Sequence, residues 1–480
     1  MRRTKIVGTL GPATDKPKVL ARLIEAGLDA ARLNYSHGTR DDHAKRARAV
    51  RRATKQQNRE IALIADLQGP KIRLEKFRDG PIHLDVGDEF IIDADLASNA
   101  GDEHHVGVTY KALPRDVRAG DTLLVDDGRV ILKVEKVDGN AIETVVLLGG
   151  QLSDNKGVNR EGGGLSAKAL THKDRLDLKH AVEIGADYIA VSFPRTAQDI
   201  HDARRLLTKA GSKAGIIAKI ERAEAVEHAE EIILAADGIM IARGDLGVEI
   251  GDSRLPPVQK RLIDLARRCH KIVITATQMM ESMIENPMPT RAEVFDVANA
   301  VLDGTDAVML SAETSIGKYP LETVEAMARI CLEAEKEWPD NQSELLLDAA
   351  FERVDQAIAV STIYCANRIK VKAIAALTES GATTRWMSRI RTDIPIFAMS
   401  GLVETLRKVS LYRGVQPLAF DIRYIEYAEV TAGILKQLHA RGAISNGDKV
   451  IITKGDLLGD IGGTNGMKIV TAGAYVEHVA

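Results

Sequence analysis

The stretch "IADLQGPKIR", residues 64–73, governs how the whole chain is read. An apolar run closes on Asp66, turns at Gly69-Pro70 and lands on two cations, Lys71 and Arg73. A charge cluster of this kind is ordinarily a solvated loop, and on these residues alone that alternative stays open. The continuation is less ordinary. Residues 71 to about 165 alternate apolar and polar side chains, as in "PIHLDVGDEFIID" and "DTLLVDDGRVILKVEKVDGNAIETVVLL". The Asp-Gly pairs at 127–128 and 138–139 are hairpin signals. An antiparallel β domain is therefore inserted here, jointed at Gly69-Pro70 and at the Gly-rich "NREGGGLSAK", 159–168.

Outside this insertion the first two thirds of the chain alternate short apolar runs with amphipathic segments such as "KVLARLIEAG". The runs cover 4–10, 30–34, 61–67, 187–193, 215–221, 238–245, 271–278 and 307–314. Eight buried strands with crossover helices predict a (β/α)8 barrel, because parallel strands are covered on both faces. Polar residues gather at the C-terminal ends of the runs, where a barrel builds its active site. They are Arg32, Asn34, Asp66, Lys219, Glu221, Arg243, Asp245, Thr277, Ser311 and Glu313. A domain hung on two joints over that mouth can move as a lid. After "EKEWPDNQSE" (335–344) the pattern restarts with "KAIAALT", "IPIFAMS", "KVIITKG" and "MKIVTAG". The expected division is a catalytic barrel over 1–70 and 168–340, a lid over 71–167, and a C-terminal α/β domain over 350–480.

Bulk composition narrows the function classes. A length of 480 residues suits about three domains. A net charge of −3 argues against nucleic acid as the main partner. Cys269, Cys331 and Cys365 have neither disulfide nor zinc spacing, which points to a reducing cytoplasm. The start "MRRTKIVGTLGPATDK" lacks the apolar core of a signal peptide, and no run reaches the ~18 residues of a membrane span.

"AKIERAEAV", 218–226, is the most informative chemistry. Lys219 and Glu221 are two apart on a strand and so share a face. "ARGDLGVEIG", 242–251, adds a second carboxylate, Asp245, behind a glycine that opens the backbone N–H groups of a helix start to an anion. Two carboxylates with open positions suit Mg²⁺. A structural salt bridge between Lys219 and one acid is the plain alternative. In "ARLNYSHG", 31–38, Arg32, Asn34 and Ser36 share a face; arginine there binds phosphate or merely ends a strand. Thr277 and Gln278 close the seventh run, and "SAET" (311–314) adds a hydroxyl and an acid at the eighth. Phosphoryl chemistry on a small anion with Mg²⁺ accommodates all of them.

At this point the chain resembles the pyruvate kinase family along nearly its whole length, and within it the bacterial type II form. The resemblance rests on "TKIVGTLGPAT", "RLNYSHG", "DLQGPKIR", "IIAKIERAEAV", "MIARGDLGVEIG", "TATQMMESM", "PTRAEV" and "GTDAVMLSAET", in the family's order. It implies a barrel with a small inserted β-barrel lid and a C-terminal regulatory domain. It also implies transfer of a phosphoryl group from phosphoenolpyruvate to ADP, giving ATP and pyruvate. Glu221 and Asp245 would hold Mg²⁺, with Mn²⁺ able to substitute. Lys219 and Arg32 would face the transferring phosphoryl oxygens, and the Gly244 and Asp245 amides the substrate carboxylate. Thr277, with Ser311 and Glu313 nearby, would serve enolate protonation. Arg73, Lys156, His37 and Asn34 would serve the nucleotide. Homotetramers are usual in the family.

The opening stretch departs from the family members that need K⁺, which carry a glutamate where Lys71 stands. Asn34, Ser36 and Asp66, the rest of that cation pocket, are present. A lysine ammonium reaching them would repel K⁺ by roughly 4 kcal/mol at about 4 Å and an effective dielectric near 20. K⁺ is therefore expected to be unnecessary. "LTESGATTRW", 377–386, resembles the family's effector-phosphate loop, with Thr378, Ser380, Thr383 and Thr384 as cradle; an ordinary helix N-cap turn is the alternative. The acidic "KGDLLGDIGGTNG", 454–466, would cover it and favours a sugar monophosphate or AMP over a bisphosphate. Two other readings are a Mg²⁺-dependent aldolase or mutase of the phosphoenolpyruvate/pyruvate barrel group and an inactive metabolite sensor. The first has no need of lid cations, and the second would erode Lys219, Glu221, Asp245 or Thr277, all intact.

Overall fold

The computed structural model describes residues 1–337, 351–426, 429–456 and 462–474. Eight parallel strands close into a barrel. They are β1 (Lys5–Thr9), β2 (Ala30–Asn34), β3 (Ala62–Asp66), β4 (Tyr188–Val191), β5 (Gly215–Ile220), β6 (Gly238–Ala242), β7 (Ile272–Ala276) and β8 (Ala307–Leu310). Each lies within one of the eight apolar runs. Strand β3 pairs with β4 across the insertion, and β8 closes on β1.

Alternation sorts the side chains of each strand. On β5, Ile216, Ala218 and Ile220 pack outward against the helices, while Ile217 belongs to the barrel interior. The next residues on that interior face are Lys219 and Glu221. The same step buries Ala62 and Ile64 inside β3 and brings Asp66 to the rim. On β2 it carries Ala30 inside and Arg32 above it. The opposite end is plugged: the interior cluster runs on into Ala359, Ile363, Leu411 and Tyr412 of the C-terminal domain. There the Tyr188 hydroxyl donates to Lys408 O at 2.9 Å.

The helix belonging to β3, His172–Glu183, comes only after the insertion. Thr171 and Asp174 form a capping box at its start, and Asp174 Oδ1 also accepts the Gly69 N–H at 3.0 Å. The entry joint is thereby tied to the displaced helix. Gly69 has φ +69°, and a Cβ there would lie 2.7 Å from Ser192 Cβ, so this turn requires glycine.

The insertion has its own apolar core around Phe90, Val106, Leu132 and Val146. Six strands form one sheet in the order Val158–Arg160, Thr122–Val125, Val130–Asp138, Ala141–Leu148, Glu89–Asp93, His105–Gly107, and Ile82–Leu84 pairs separately with Gly150–Leu152. Both Asp-Gly signals fall at hairpins, but Asp138 stays in its strand opposite Ala141, so the second turn is Gly139-Asn140.

The C-terminal domain is a five-stranded sheet ordered Val415–Ala419, Ile396–Ser400, Ala373–Leu377, Lys449–Gly455, Thr464–Thr471, the last strand antiparallel. The strand Val415–Ala419 has no counterpart among the sequence-read runs. Pro417 masks it, and its edge position is where a strand proline is tolerated. Of the expected ranges, 338–340, 350, 427–428 and 475–480, and residues 457–461 of the expected covering loop, lie outside the described residues. Among the described residues no helix is long and apolar enough to cross a membrane.

Candidate active site

The top interior layer of the barrel is a chain of charges. Lys219 Nζ lies 2.8 Å from Glu221 Oε1 and 3.2 Å from Asp66 Oδ1, and donates to Ser192 Oγ at 2.8 Å. Arg32 Nε donates to Asp66 Oδ2 at 2.6 Å, and its Nη1 to Thr9 Oγ1 at 2.9 Å. Asp66 on β3 thus holds two cations, one from β2 and one from β5. Burial alone would push its carboxyl up, but Arg32 and Lys219 pull it below the usual range. The Lys219 ammonium is buried too, yet Asp66 and Glu221 more than offset that and raise its pKa. Lys219 is therefore charged throughout any working pH.

Glu221 is the stressed partner. Burial, with the charges of Asp245 and Asp66 behind it, raises its pKa above the ordinary value against the pull of Lys219. Its Oε2 accepts the Phe193 N–H at 2.8 Å. Asp245 stands in the first turn of the helix Arg243–Ile250 that follows β6. Two neighbouring carboxylates, one of them held in an unfavourable charged state, fit a divalent cation, whose charge would reverse the penalty. Among the described residues no three His, Cys, Asp or Glu side chains converge as a metal cage would. Two carboxylates are a donor set that Mg²⁺ accepts, with water and substrate oxygens as its other ligands.

Thr277 follows β7 with φ +69°, and Gln278 after it has φ +52°. A β-branched residue in this region is strained, and such strain concentrates at functional sites. Arg243 holds it there: Nη2 donates to Thr277 O at 2.6 Å, while Nη1 and Nη2 grip Asp296 at 2.6 and 2.8 Å. Thr277 Oγ1 donates to Ala276 O at 2.6 Å and accepts the Gly244 N–H at 2.9 Å.

Residues 1–324 match the family described as pyruvate kinase, barrel domain, and residues 356–470 match pyruvate kinase, alpha/beta domain. The chain belongs to the pyruvate kinase family. It is 54% identical over 477 residues to pyruvate kinase II of Salmonella typhimurium, covering 98% of this chain and 99% of that one. It is also 54% identical over 462 residues to the Haemophilus influenzae pyruvate kinase, covering 95% of this chain and 96% of that one. A Mycobacterium tuberculosis pyruvate kinase is 41% identical over 469 residues, 97% of each chain. The chain is accordingly a phosphotransferase, and pyruvate kinase chemistry implies phosphoenolpyruvate, ADP and pyruvate as its substrates and products.

Against this pyruvate kinase frame, several residues stand elsewhere than expected. Lys71 Nζ does not bond Asn34, Ser36 or Asp66; it donates to Asp245 Oδ1 at 2.9 Å. The reason is charge balance, since Asp66 already carries Arg32 and Lys219. The Gly244 N–H points to Thr277 Oγ1, so a substrate carboxylate would have to share or displace that bond. Glu313 is buried beneath the rim, with Oε2 accepting the Ser311 N–H at 2.6 Å and Oε1 the Met280 N–H at 3.2 Å. Through these backbone bonds it shapes two loops, one of them carrying Ser311. Asn34 Oδ1 accepts the Ser36 N–H at 3.1 Å, which fixes the turn before His37. Burial, then Arg73, Arg32 and Lys71, lower the His37 pKa. On the lid, Arg73 Nη1 donates to Asn155 O at 2.8 Å and Lys156 Nζ pairs with Asp126 at 2.9 Å.

In the C-terminal domain, Thr378, Ser380 and Thr383 line a cavity together with Arg423 and Lys454. Thr384 does not belong there. Helical rotation turns it into the core, where its Oγ1 donates to Gly381 O at 2.9 Å. Sequence reasoning missed Ser192 and Thr9 and gave Arg243 no role. Ser192 and Thr9 had a usable signal, a hydroxyl at the C-terminal end of an apolar run.

Proposed function

We propose that this enzyme moves the phosphoryl group of phosphoenolpyruvate to ADP with Mg²⁺ held by Glu221 and Asp245, and that it does so without K⁺. The observation that carries this reading is Lys219, fastened between Asp66 and Glu221 beside Arg32 on one rim. When bound, Mg²⁺ supplies charge neutralisation for phosphate and enolate oxygens. Lys219 and Arg32 offer fixed positive charge to oxygens whose negative charge spreads in a loose transition state. Asp66 keeps both cations in place, so little reorganisation is needed at the moment of transfer. The N–H groups that open the Asp245 helix receive the substrate carboxylate. Thr277, locked by Arg243, orients a water for protonation of the enolate carbon, with Ser311 at the same rim. Arg73, Lys156, His37 and Asn34 take the nucleotide phosphates. The aldolase or mutase reading is separated by one assay: pyruvate release must depend on ADP.

Lys71 supplies a permanent positive charge next to Asp245 and close enough to His37 to lower its pKa. That charge stands in for K⁺. In tetramethylammonium buffer, adding KCl should leave the rate within about twofold, whereas Lys71→Glu should lose most of its K⁺-free rate and regain part of it with KCl. A strong K⁺ requirement in the natural sequence would end this reading.

The C-terminal cavity supports a phosphorylated activator, a sugar monophosphate or AMP. Its hydroxyl loop and Arg423 and Lys454 suit one phosphate, while Glu379, Asp421 and Asp456 in the same lining disfavour a second. Glucose 6-phosphate, ribose 5-phosphate or AMP should raise the melting temperature, and Thr378→Ala should reduce that rise. An equal rise in the variant would move the effector elsewhere. Met288 and Phe295 flank "PTRAEV" and are 74% and 70% exposed, an apolar surface that supports pairing of barrels in a homotetramer. Three free cysteines support a cytoplasmic location.

A further inference from the structure

The lid leaves the barrel mouth through residues 158–165, and Asn159, Gly162, Gly164 and Leu165 of this exit bond the segments that carry the two metal carboxylates. Gly162 N–H donates to Glu249 O at 3.0 Å. Asn159 Nδ2 lies 3.4 Å from Glu249 Oε1, and Glu249 Oε2 accepts the Ala223 N–H at 2.9 Å. Gly164 N–H donates to Glu224 Oε1 at 2.6 Å, and Arg222 Nη1 to Leu165 O at 3.0 Å. Glu249 lies one helical turn beyond Asp245 on the same helix, and Arg222, Ala223 and Glu224 follow Glu221 directly. Both lid joints meet here: Pro70, Lys71, Asn159 and Leu165 line one small cavity with Asp245 and Glu249.

Glu249 is 5% exposed and joins three separate segments with one side chain. We propose that Glu249 is a positioning residue that fastens the lid's exit to the Asp245 helix and to the loop after Glu221, keeping the lid's cations in register with the metal carboxylates. This rests on the reading that Arg73 and Lys156 take the nucleotide phosphates. Neither charge nor proton on Glu249 is essential to the fastening; acceptor geometry is. Burial pushes its carboxyl up to about 7, against the Ala223 hydrogen bond and the Arg222 charge and with Glu224 adding to the rise. Glutamine is therefore a close stand-in, with Asn159 turning its amide to match.

Hydrogen–deuterium exchange and steady-state kinetics on the full chain test the assignment. In Glu249→Ala, exchange should quicken in peptides covering 158–165, 222–227 and 243–250 and stay unchanged elsewhere. KM for ADP should rise about fivefold, with kcat and KM for phosphoenolpyruvate within about twofold. Glu249→Gln should restore both readouts. Asn159→Ala, which spares the Ala223 bond, should show a smaller change of the same kind. Unchanged exchange at 158–165 in Glu249→Ala and Asn159→Ala overturns the proposal, as does a Gln variant as damaged as the Ala variant. Faster hinge exchange with an unmoved ADP KM supports the fastening and overturns the nucleotide assignment instead.

Discussion

Lys219→Met will lower kcat by roughly 10²–10³-fold, the scale on which a preorganised donor stabilises a developing charge. Methionine keeps most of the buried volume, so the loss reports charge and not packing. Three contacts hold the ammonium in its place: Glu221, Asp66 and Ser192. Arg32 remains on Asp66 in the variant, so that carboxylate keeps a partner. Glu221 keeps the Phe193 N–H but loses its cation, so its proton competes more strongly with a metal. The apparent Mg²⁺ requirement should therefore rise along with the fall in kcat. A coupled pyruvate assay over a Mg²⁺ series measures both. A variant that changes only KM for phosphoenolpyruvate, at unchanged turnover, would reduce Lys219 to a uniform binding group.

Arg389→Met will cost about 3–5 kcal/mol of stability, because it strands a buried carboxylate. Arg389 ends the helix Ala382–Arg389 whose start lines the C-terminal cavity. Its guanidinium grips both oxygens of Asp306, with one bond at 2.8 Å, and Nη1 also reaches Lys271 O at 2.8 Å. Asp306 directly precedes β8 and further accepts the Val273 N–H at 3.0 Å and the Arg413 N–H at 3.2 Å. One buried pair thus joins the C-terminal domain to the base of the barrel. Unfolding in urea, followed by separate probes for the two domains, should show the midpoint fall for both. Adding Asp306→Asn should cost less than in the natural background, since the two residues act as a unit. Additive losses, or a loss below about 1 kcal/mol for Arg389→Met, would deny that role.

The eight barrel strands are legible in the sequence because each is a short apolar run that must be buried on both faces. The rim is legible for the related reason that polar residues at the end of such runs have nowhere to point except the mouth. Lys219, Glu221, Asp66 and Arg32 follow from period-two alternation and meet as that alternation requires. Partner choice does not follow from it. Whether Lys71 bonds Asp66 or Asp245 depends on how many cations Asp66 already holds, a balance struck among β2, β3 and β5. Thr384 differs from Thr383 only by the rotation of one helical residue, too fine for a hydroxyl-rich pattern to resolve. Glu313 reads as catalytic because it ends the eighth run, yet backbone N–H groups of two loops claim it first. Ser192 sits near the end of an apolar run with only its hydroxyl to single it out, yet that hydroxyl accepts from Lys219 Nζ.

The account depends on a divalent cation seated between two acids on the rim that bears Lys219. Crystals soaked in Mn²⁺ give an anomalous difference map that locates the ion without relying on activity. The predicted result is one strong peak about 2.1 Å from carboxylate oxygens of both Glu221 and Asp245, lost in Glu221→Gln. A peak at another place on the barrel, or none at saturating Mn²⁺, would contradict it.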